Sequence, residues 1–337
     1  MADKIFLTQE IGSLKKPTWL VRTLRDSKSS PTDKDQTRDD AVLLNLHQLQ
    51  DAGLDIVYDG EARRVEMYEY AIRRMGGFNF VGHVRSWDNK YFRKASCIRN
   101  VTYDGAYHLD EFLFVKKHVP GMIKIPITGP YTLADWSFNE TYSDKREFVL
   151  ALAKEVIRPQ LIDLVKAGAK RIQIDEPAAT THPLEMDMFV EGINAAVSGI
   201  ASSFGVHICY SGDDYRSLFP SILEMKVSQF ALEFANRDNT KKGVSDDRRK
   251  GYAALKLFRE YSDKREIGLG VVDVHVDEVE SPSLISDRLQ YASKILGSPD
   301  RILANPDCGL RTRSREIAFA KLASMVEGAK LARQALE

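Results

Sequence analysis

Short runs rich in β-branched residues recur along the chain, separated by longer stretches in which apolar residues step by three and four. The runs lie at 5–7, 54–58, 123–127, 171–174, 206–210, 229–232, 267–272 and 302–304, and they predict eight strands. Among the intervening stretches, Ile285, Leu289, Ala292 and Leu296 form one helical stripe; Ala318, Leu322, Met325, Ala329 and Ala332 form another. The segment 145–167 is also helical in pattern, with Pro159 placed to kink or divide it. A longer insertion, about 79–119, separates the second and third strands, and alternation over 80–103 predicts a hairpin within it.

Strands alternating with helices, without a Pro/Gly/Ser-rich linker, predict one α/β domain over 1–337. Two architectures accommodate the pattern: a (β/α)8 barrel and a doubly wound sheet. The residues that follow the strands favour the barrel. They are Ser13, Glu61, Thr128, Asp175, Cys209, Glu233, His275 and Cys308. Barrel enzymes collect such side chains at the mouth formed by the C-terminal strand ends. The expected fold is therefore a single TIM barrel with a hairpin inserted between strands 2 and 3.

Composition narrows the function class. Formal net charge is zero, with 48 basic and 48 acidic side chains, which disfavours nucleic acid or an anionic membrane as the main partner. The run Arg248-Arg249-Lys250 follows Asp246-Asp247 and reads as a solvated face; the polar stretches 26–35 and 236–249 read as surface loops or helix ends. No apolar run reaches membrane-spanning length and the first residues do not resemble a signal peptide, so a cytoplasmic protein is expected. Three scattered cysteines, 97, 209 and 308, make a poor disulfide framework.

His207 and Cys209, two apart on a strand, face the same way. With Cys308 and Glu233 at other strand ends they would give two thiolates, an imidazole and a carboxylate. Zinc accepts that set tetrahedrally at about 2.0–2.3 Å, and sulfur argues against magnesium or calcium. The competing reading is a pair of buried cysteines and a core histidine.

Seven motifs stand in order along nearly the whole chain: Ile11-Gly12-Ser13; Asp59-Gly60-Glu61 with Arg64, Glu66, Met67, Glu69 and Tyr70; Thr128-Gly129-Pro130 with Trp136-Ser137-Phe138; Gln173-Ile174-Asp175-Glu176-Pro177-Ala178; His207-Ile208-Cys209-Tyr210; the run from Gly268 to His275; and that from Asn305 to Arg313. Together they resemble the catalytic half of the cobalamin-independent methionine synthases. The resemblance implies a zinc-dependent methyltransferase with homocysteine as acceptor. Zinc would be held by His207, Cys209, Glu233 and Cys308. Homocysteine would lie against Ile11, Gly12 and Ser13, its ammonium between Glu61 and Asp175, with Trp136 available to stack on a planar donor. His275 would be the proton-donating catalytic residue. Structural alternatives exist for several of these: an ion pair of Glu61 with Arg63 or Arg64, a helix cap for Ser13, a core position for His275 and a buried aromatic for Trp136.

The chain departs from that family in three ways. It has no room for the second, N-terminal barrel. It carries Ser96-Cys97 where the family has Arg-Cys, and Thr181 where the family has a glutamate. The changes fall where a folate donor would bind, so the expected donor is methylcobalamin or a corrinoid protein, with 5-methyltetrahydrofolate as the alternative. A different thiol acceptor, such as coenzyme M, fits less well, because two carboxylates repel a sulfonate. A non-catalytic zinc- or amino-acid-binding barrel is the reading from another class.

Overall fold

Apolar runs bounded by turn residues become short strands, and the stepped stripes become the helices packed around them. The computed structural model describes residues 5–85, 91–209 and 215–336. In chain order it begins with α1 (Thr18–Arg25), α2 (Pro31–Asp51), β1 (Ile56–Val57), α3 (Met67–Ile72), β2 (Met75–Arg85), β3 (Tyr91–Tyr103) and α4 (Leu109–His118). There follow β4 (Met122–Ile123), β5 (Ile125–Thr128), α5 (Pro130–Asp135), β6 (Phe138–Asn139), α6 (Lys145–Ala151), α7 (Arg158–Lys166), β7 (Arg171–Asp175), α8 (Met186–Val197) and β8 (Ser203–Ile208). Last come β9 (Gln229–Leu232), α9 (Leu255–Glu260), β10 (Glu266–Val272), α10 (Pro282–Leu296), β11 (Ile302–Pro306) and α11 (Arg315–Gln334).

The chain divides into two compact units, each drawn from separated segments. The first holds 1–63, 115–124 and 229–337. Here β9, β10 and β11 run parallel, Gly268 of β10 pairing with Ala231 and with Leu303. Isolated parallel bridges join Thr8 to Ala304 and Gln9 to Ile56, and β1 pairs with β4. The strand expected at 5–7 is thus reduced to two bridging residues just beyond it. Phe6, at φ 48°, interrupts the extended backbone there. Every residue of β9 and β11 is buried, as is all of β10 but its first. Parallel strands covered on both faces require this, and it explains their unbroken apolar runs. The stripes of α10 and α11 are buried as expected.

The second unit holds 64–114 and 125–228. Its strands β5, β7 and β8 are parallel and in register, with Thr128 opposite Asp175 and Asp175 opposite His207. The expected hairpin is β2 and β3, antiparallel, starting five residues earlier than the alternation suggested. The stretch 145–167 is helical throughout, with a π-turn over Leu152–Ile157 between α6 and α7. Pro159, in the first turn of α7, supplies the cause: it has no N–H to donate and its ring crowds the preceding turn.

One sequence expectation is corrected. Arg249 is fully buried instead of lying on a solvated face. Its guanidinium pairs with Asp238, which also takes Arg288, and donates to the Lys241 carbonyl. Charge composition could not reveal a carboxylate eleven residues away that folds under the run. The architecture is α/β with parallel strands; among the described residues no closed barrel is observed. Among them, too, no helix is long and apolar enough to cross a membrane.

Candidate metal and substrate site

The reactive residues gather at the carboxyl ends of parallel strands because side chains there leave the packed sheet while their backbones stay held. In the first unit, Glu233 follows β9, His275 follows β10 by three residues and Cys308 follows β11 by two. Glu233 is 1% exposed; its Oε2 accepts a 3.0 Å hydrogen bond from Asn236 Nδ2, and its Oε1 lies 4.0 Å from His275 Nε2. His275 itself is solvent-exposed, so it is no core filler. Its backbone N–H donates to Asp273 Oδ1.

The Asp59-Gly60-Glu61 turn belongs to the same unit. Gly60 and Glu61 both take left-handed backbone, at φ 63° and 56°. The turn is held by the Glu61 N–H on Asp59 Oδ1 at 2.8 Å and by the Leu14 N–H on the Gly60 carbonyl at 3.0 Å. A glutamate in that conformation costs about 1 kcal/mol or more, and such strain concentrates at functional sites. The turn brings the Glu61 carboxylate against Gly12, where an added Cβ would lie 2.9 Å from Oε1. Gly309, beside Cys308, comes equally close to Ser13 Oγ, 2.7 Å from where its Cβ would be. Gly12, Ser13, Glu61 and the Cys308-Gly309 segment are therefore neighbours. Arg63 pairs with Asp39 and Arg64 with Glu111. Helix α1 is capped by Pro17, with no side-chain hydrogen bond from Ser13.

Glu10 immediately precedes this loop. Its carboxyl is buried, and burial pushes it up to about 8 against the opposing pull of Lys124 and of the Tyr58 backbone. The Lys124 ammonium donates to the Glu10 backbone carbonyl at 2.7 Å. Asp307, the residue before Cys308, is also buried; its carboxylate accepts the N–H groups of Phe234, Ala235 and Asn236. Burial raises it to about 7 even against those three donors. Sequence reasoning assigned a role to neither. Each sits inside a motif, but its burial is invisible without the fold.

In the second unit, register places Asp175 beside His207, and Cys209 follows β8 by one residue. The three are 7%, 2% and 6% exposed. Asp175 Oδ1 accepts from Gln173 Nε2 at 2.6 Å. His207 and Cys209 offer donor atoms within 4.8 Å of each other, as same-facing residues on a strand should. Trp136 stacks on Phe92 at 5.2 Å and lies 6.1 Å from the Tyr68 ring. Cys97 is fully buried, its thiol directed to the Arg99 carbonyl and pushed up by desolvation, and Ser96 binds Glu140. Thr181 turns its hydroxyl onto the Ala178 carbonyl. Tyr210, from the His207 motif, lies outside the described residues.

Candidate metal donors among the described residues are His207 and Cys209 in the second unit and Cys308 in the first. Soft sulfur with imidazole nitrogen fits zinc and excludes the oxygen-seeking cations.

Residues 6–331 match the family described as cobalamin-independent synthase, catalytic domain. The chain is 43% identical over 332 residues to a methionine synthase of Thermoplasma acidophilum, covering 95% of this chain and 96% of that one. It is 43% identical to the methionine synthase of Pyrococcus furiosus, covering 99% and 94%. A B12-independent methionine synthase from Shewanella, solved with selenomethionine, superposes with a TM-score of 0.84 at 24% identity, covering 98% of this chain and 99% of that one. At that identity it speaks for the fold. The family description runs against methylcobalamin or a corrinoid protein as donor, and that expectation is corrected. It had rested on two altered positions and a missing half, none of which bears on the donor's own chemistry.

Proposed function

Because the chain belongs to the cobalamin-independent synthase family through its catalytic domain, we propose that it makes methionine, moving a methyl group onto homocysteine thiol at one zinc ion. Methyl transfer to homocysteine is the reaction class of that family. The finer reading gives zinc the ligands His207, Cys209, Glu233 and Cys308, and takes 5-methyltetrahydrofolate as donor. The fold is read as the (β/α)8 barrel expected from the strand pattern.

The observation that carries the proposal is the donor chemistry. His207 and Cys209 lie side by side in one unit, and Cys308 in the other carries the second thiol that this reading gives to the ion. Glu233, buried and oriented by Asn236, supplies an oxygen. Bound there, zinc would lower the thiol pKa from about 8.5 and supply a thiolate at neutral pH.

The chain's own residues do the rest. Glu61, held by its turn beside Gly12, and Asp175, fixed by Gln173, are acceptors for an α-ammonium. Charge-assisted hydrogen bonds of that kind are roughly twice as strong as neutral ones. Ser13 and the backbone at 11–13, beside Glu61, would hold the amino-acid end. A tetrahydrofolate leaving through nitrogen needs a proton as its bond to methyl breaks. Exposed His275, whose Nε2 lies 4.0 Å from Glu233 Oε1, is the residue we read as supplying it.

The test is to measure zinc content and methionine formation for the wild-type protein and for Cys308→Ser. The wild type should hold one zinc and form methionine from homocysteine with 5-methyltetrahydrofolate. The variant should lose both, with activity down at least about 100-fold. Product from methylcobalamin alone would overturn the donor; a fully active metal-free protein would overturn the zinc site.

A further inference from the structure

Asp307 is not among the proposed metal or substrate contacts, yet its hydrogen bonds run beside two of the proposed ligands. It is fully buried. Its Oδ1 accepts the N–H groups of Phe234 and Ala235, both at 2.9 Å, and its Oδ2 accepts that of Asn236 at 2.7 Å. These are the three residues that follow Glu233. Its own N–H donates to the Val272 carbonyl at 2.9 Å, at the end of β10. One residue thereby ties together the carboxyl ends of β9, β10 and β11. Asn236, so fixed, donates from Nδ2 to Glu233 Oε2 at 3.0 Å. The opening that admits the carboxylate is made by Gly270, where a Cβ would lie 2.0 Å from Asp307 Oδ1.

We propose that Asp307 is a positioning residue for the metal site, fixing the spacing of Glu233 and Cys308 through the 234–236 backbone and Asn236. This rests on the zinc reading above. The physical reason is local. Cys308 is covalently next to Asp307, and Glu233 is next to the first N–H that Asp307 holds, so a single carboxylate limits how far the two donors can drift apart. A proposed ligand thiolate and a proposed ligand carboxylate would otherwise sit on two independent loop starts. The competing role is a plain structural one, in which Asp307 only satisfies three buried N–H groups of the single turn Ala235–Arg237.

Asp307→Asn separates the two. It keeps the shape but replaces one acceptor oxygen by a donor, which faces the N–H of Phe234 and Ala235 or that of Asn236. Asn236→Ala removes the bond to Glu233 and leaves the Asp307 carboxylate in place. Zinc affinity of the metal-free proteins is measured by competition with a chelating dye, together with the absorption spectrum of the cobalt(II)-loaded forms and the thermal midpoint. The wild type should bind one equivalent. Asp307→Asn should bind about 10- to 100-fold more weakly, the range for residues that orient metal ligands, with a changed cobalt spectrum. Asn236→Ala should weaken binding about 10-fold with little change in midpoint. Wild-type affinity and spectrum in a folded Asp307→Asn, even with a lowered midpoint, would overturn the proposal. If that variant does not fold, wild-type affinity in Asn236→Ala overturns it. A wild type that binds no zinc would overturn the zinc reading and this inference together, whereas a wild type that binds with unaffected variants sinks this inference alone.

Discussion

At the scale of single residues, burial opposes the ionisation of several groups. Glu10 is the clearest of the opposed ones, a buried carboxyl raised to about 8 from an ordinary 4.5. Between those values the folded state keeps a proton that the unfolded chain releases. Stability contributed by this group therefore falls as pH rises from about 4.5 to 8. Glu176, raised to about 8, acts in the same direction; its carboxylate caps the first turn of α5 through the N–H groups of Tyr131 and Thr132. His108, lowered to about 4 by burial and by Arg64, acts in the opposite sense, with stability lost as pH falls from 6.5 towards 4. Replacing Glu10 by Gln should flatten the decline on the alkaline side. Denaturant unfolding at pH 5 and pH 8 should show the variant gaining on the order of 1–2 kcal/mol over wild type at the higher pH relative to the lower. An unchanged difference between the two pH values would show that Glu10 ionises freely.

At the scale of elements, what matters is how closely strand ends approach one another. The Gly268-Leu269-Gly270 run of β10 has small residues where its neighbours lean in. A Cβ on Gly270 would meet Asp307 Oδ1 at 2.0 Å and the Leu232 carbonyl at 2.7 Å. Gly270→Ala should therefore destabilise the protein by about 2–3 kcal/mol. By displacing the Asp307 carboxylate it should also lower zinc affinity. Gly82→Ala in β2, where nothing lies within 4 Å, is the control and should stay within about 0.5 kcal/mol. Equal unfolding midpoints for the two variants would mean that β10 can give way at Gly270. Element positions were largely legible beforehand, since the apolar runs at 171–174, 229–232 and 267–272 all became strands. The run at 123–127 became two strands, parted at Lys124, whose N–H is taken by Val57. No pattern in the run itself marks that break.

For the whole molecule, the proposed zinc ligands come from segments far apart in sequence, 207–209, 233 and 308. The unfolded chain holds no such site, so metal binding adds to folding stability. At a free zinc concentration of about 100 times Kd the gain is roughly 2.7 kcal/mol. Calorimetry of metal-free protein should show the transition rise by several degrees on zinc addition, and much less in Cys308→Ser. A transition indifferent to zinc in the wild type would contradict a ligand set built from distant segments.

The sequence by itself determined the alternation of strands and helices, the residue types at the strand ends and, through seven ordered motifs, the family. It could do so because periodicity and motif spacing are properties of neighbours along the chain. Only the tertiary structure decided that Arg249 is buried on Asp238, that Ser13 is no helix cap, that His275 is exposed beside Glu233, and that Asp307 binds three consecutive N–H groups. Each of those depends on which distant segment arrives at a given strand end, and so on how deeply a charge is buried and what it meets there. Neither composition nor local pattern carries that information.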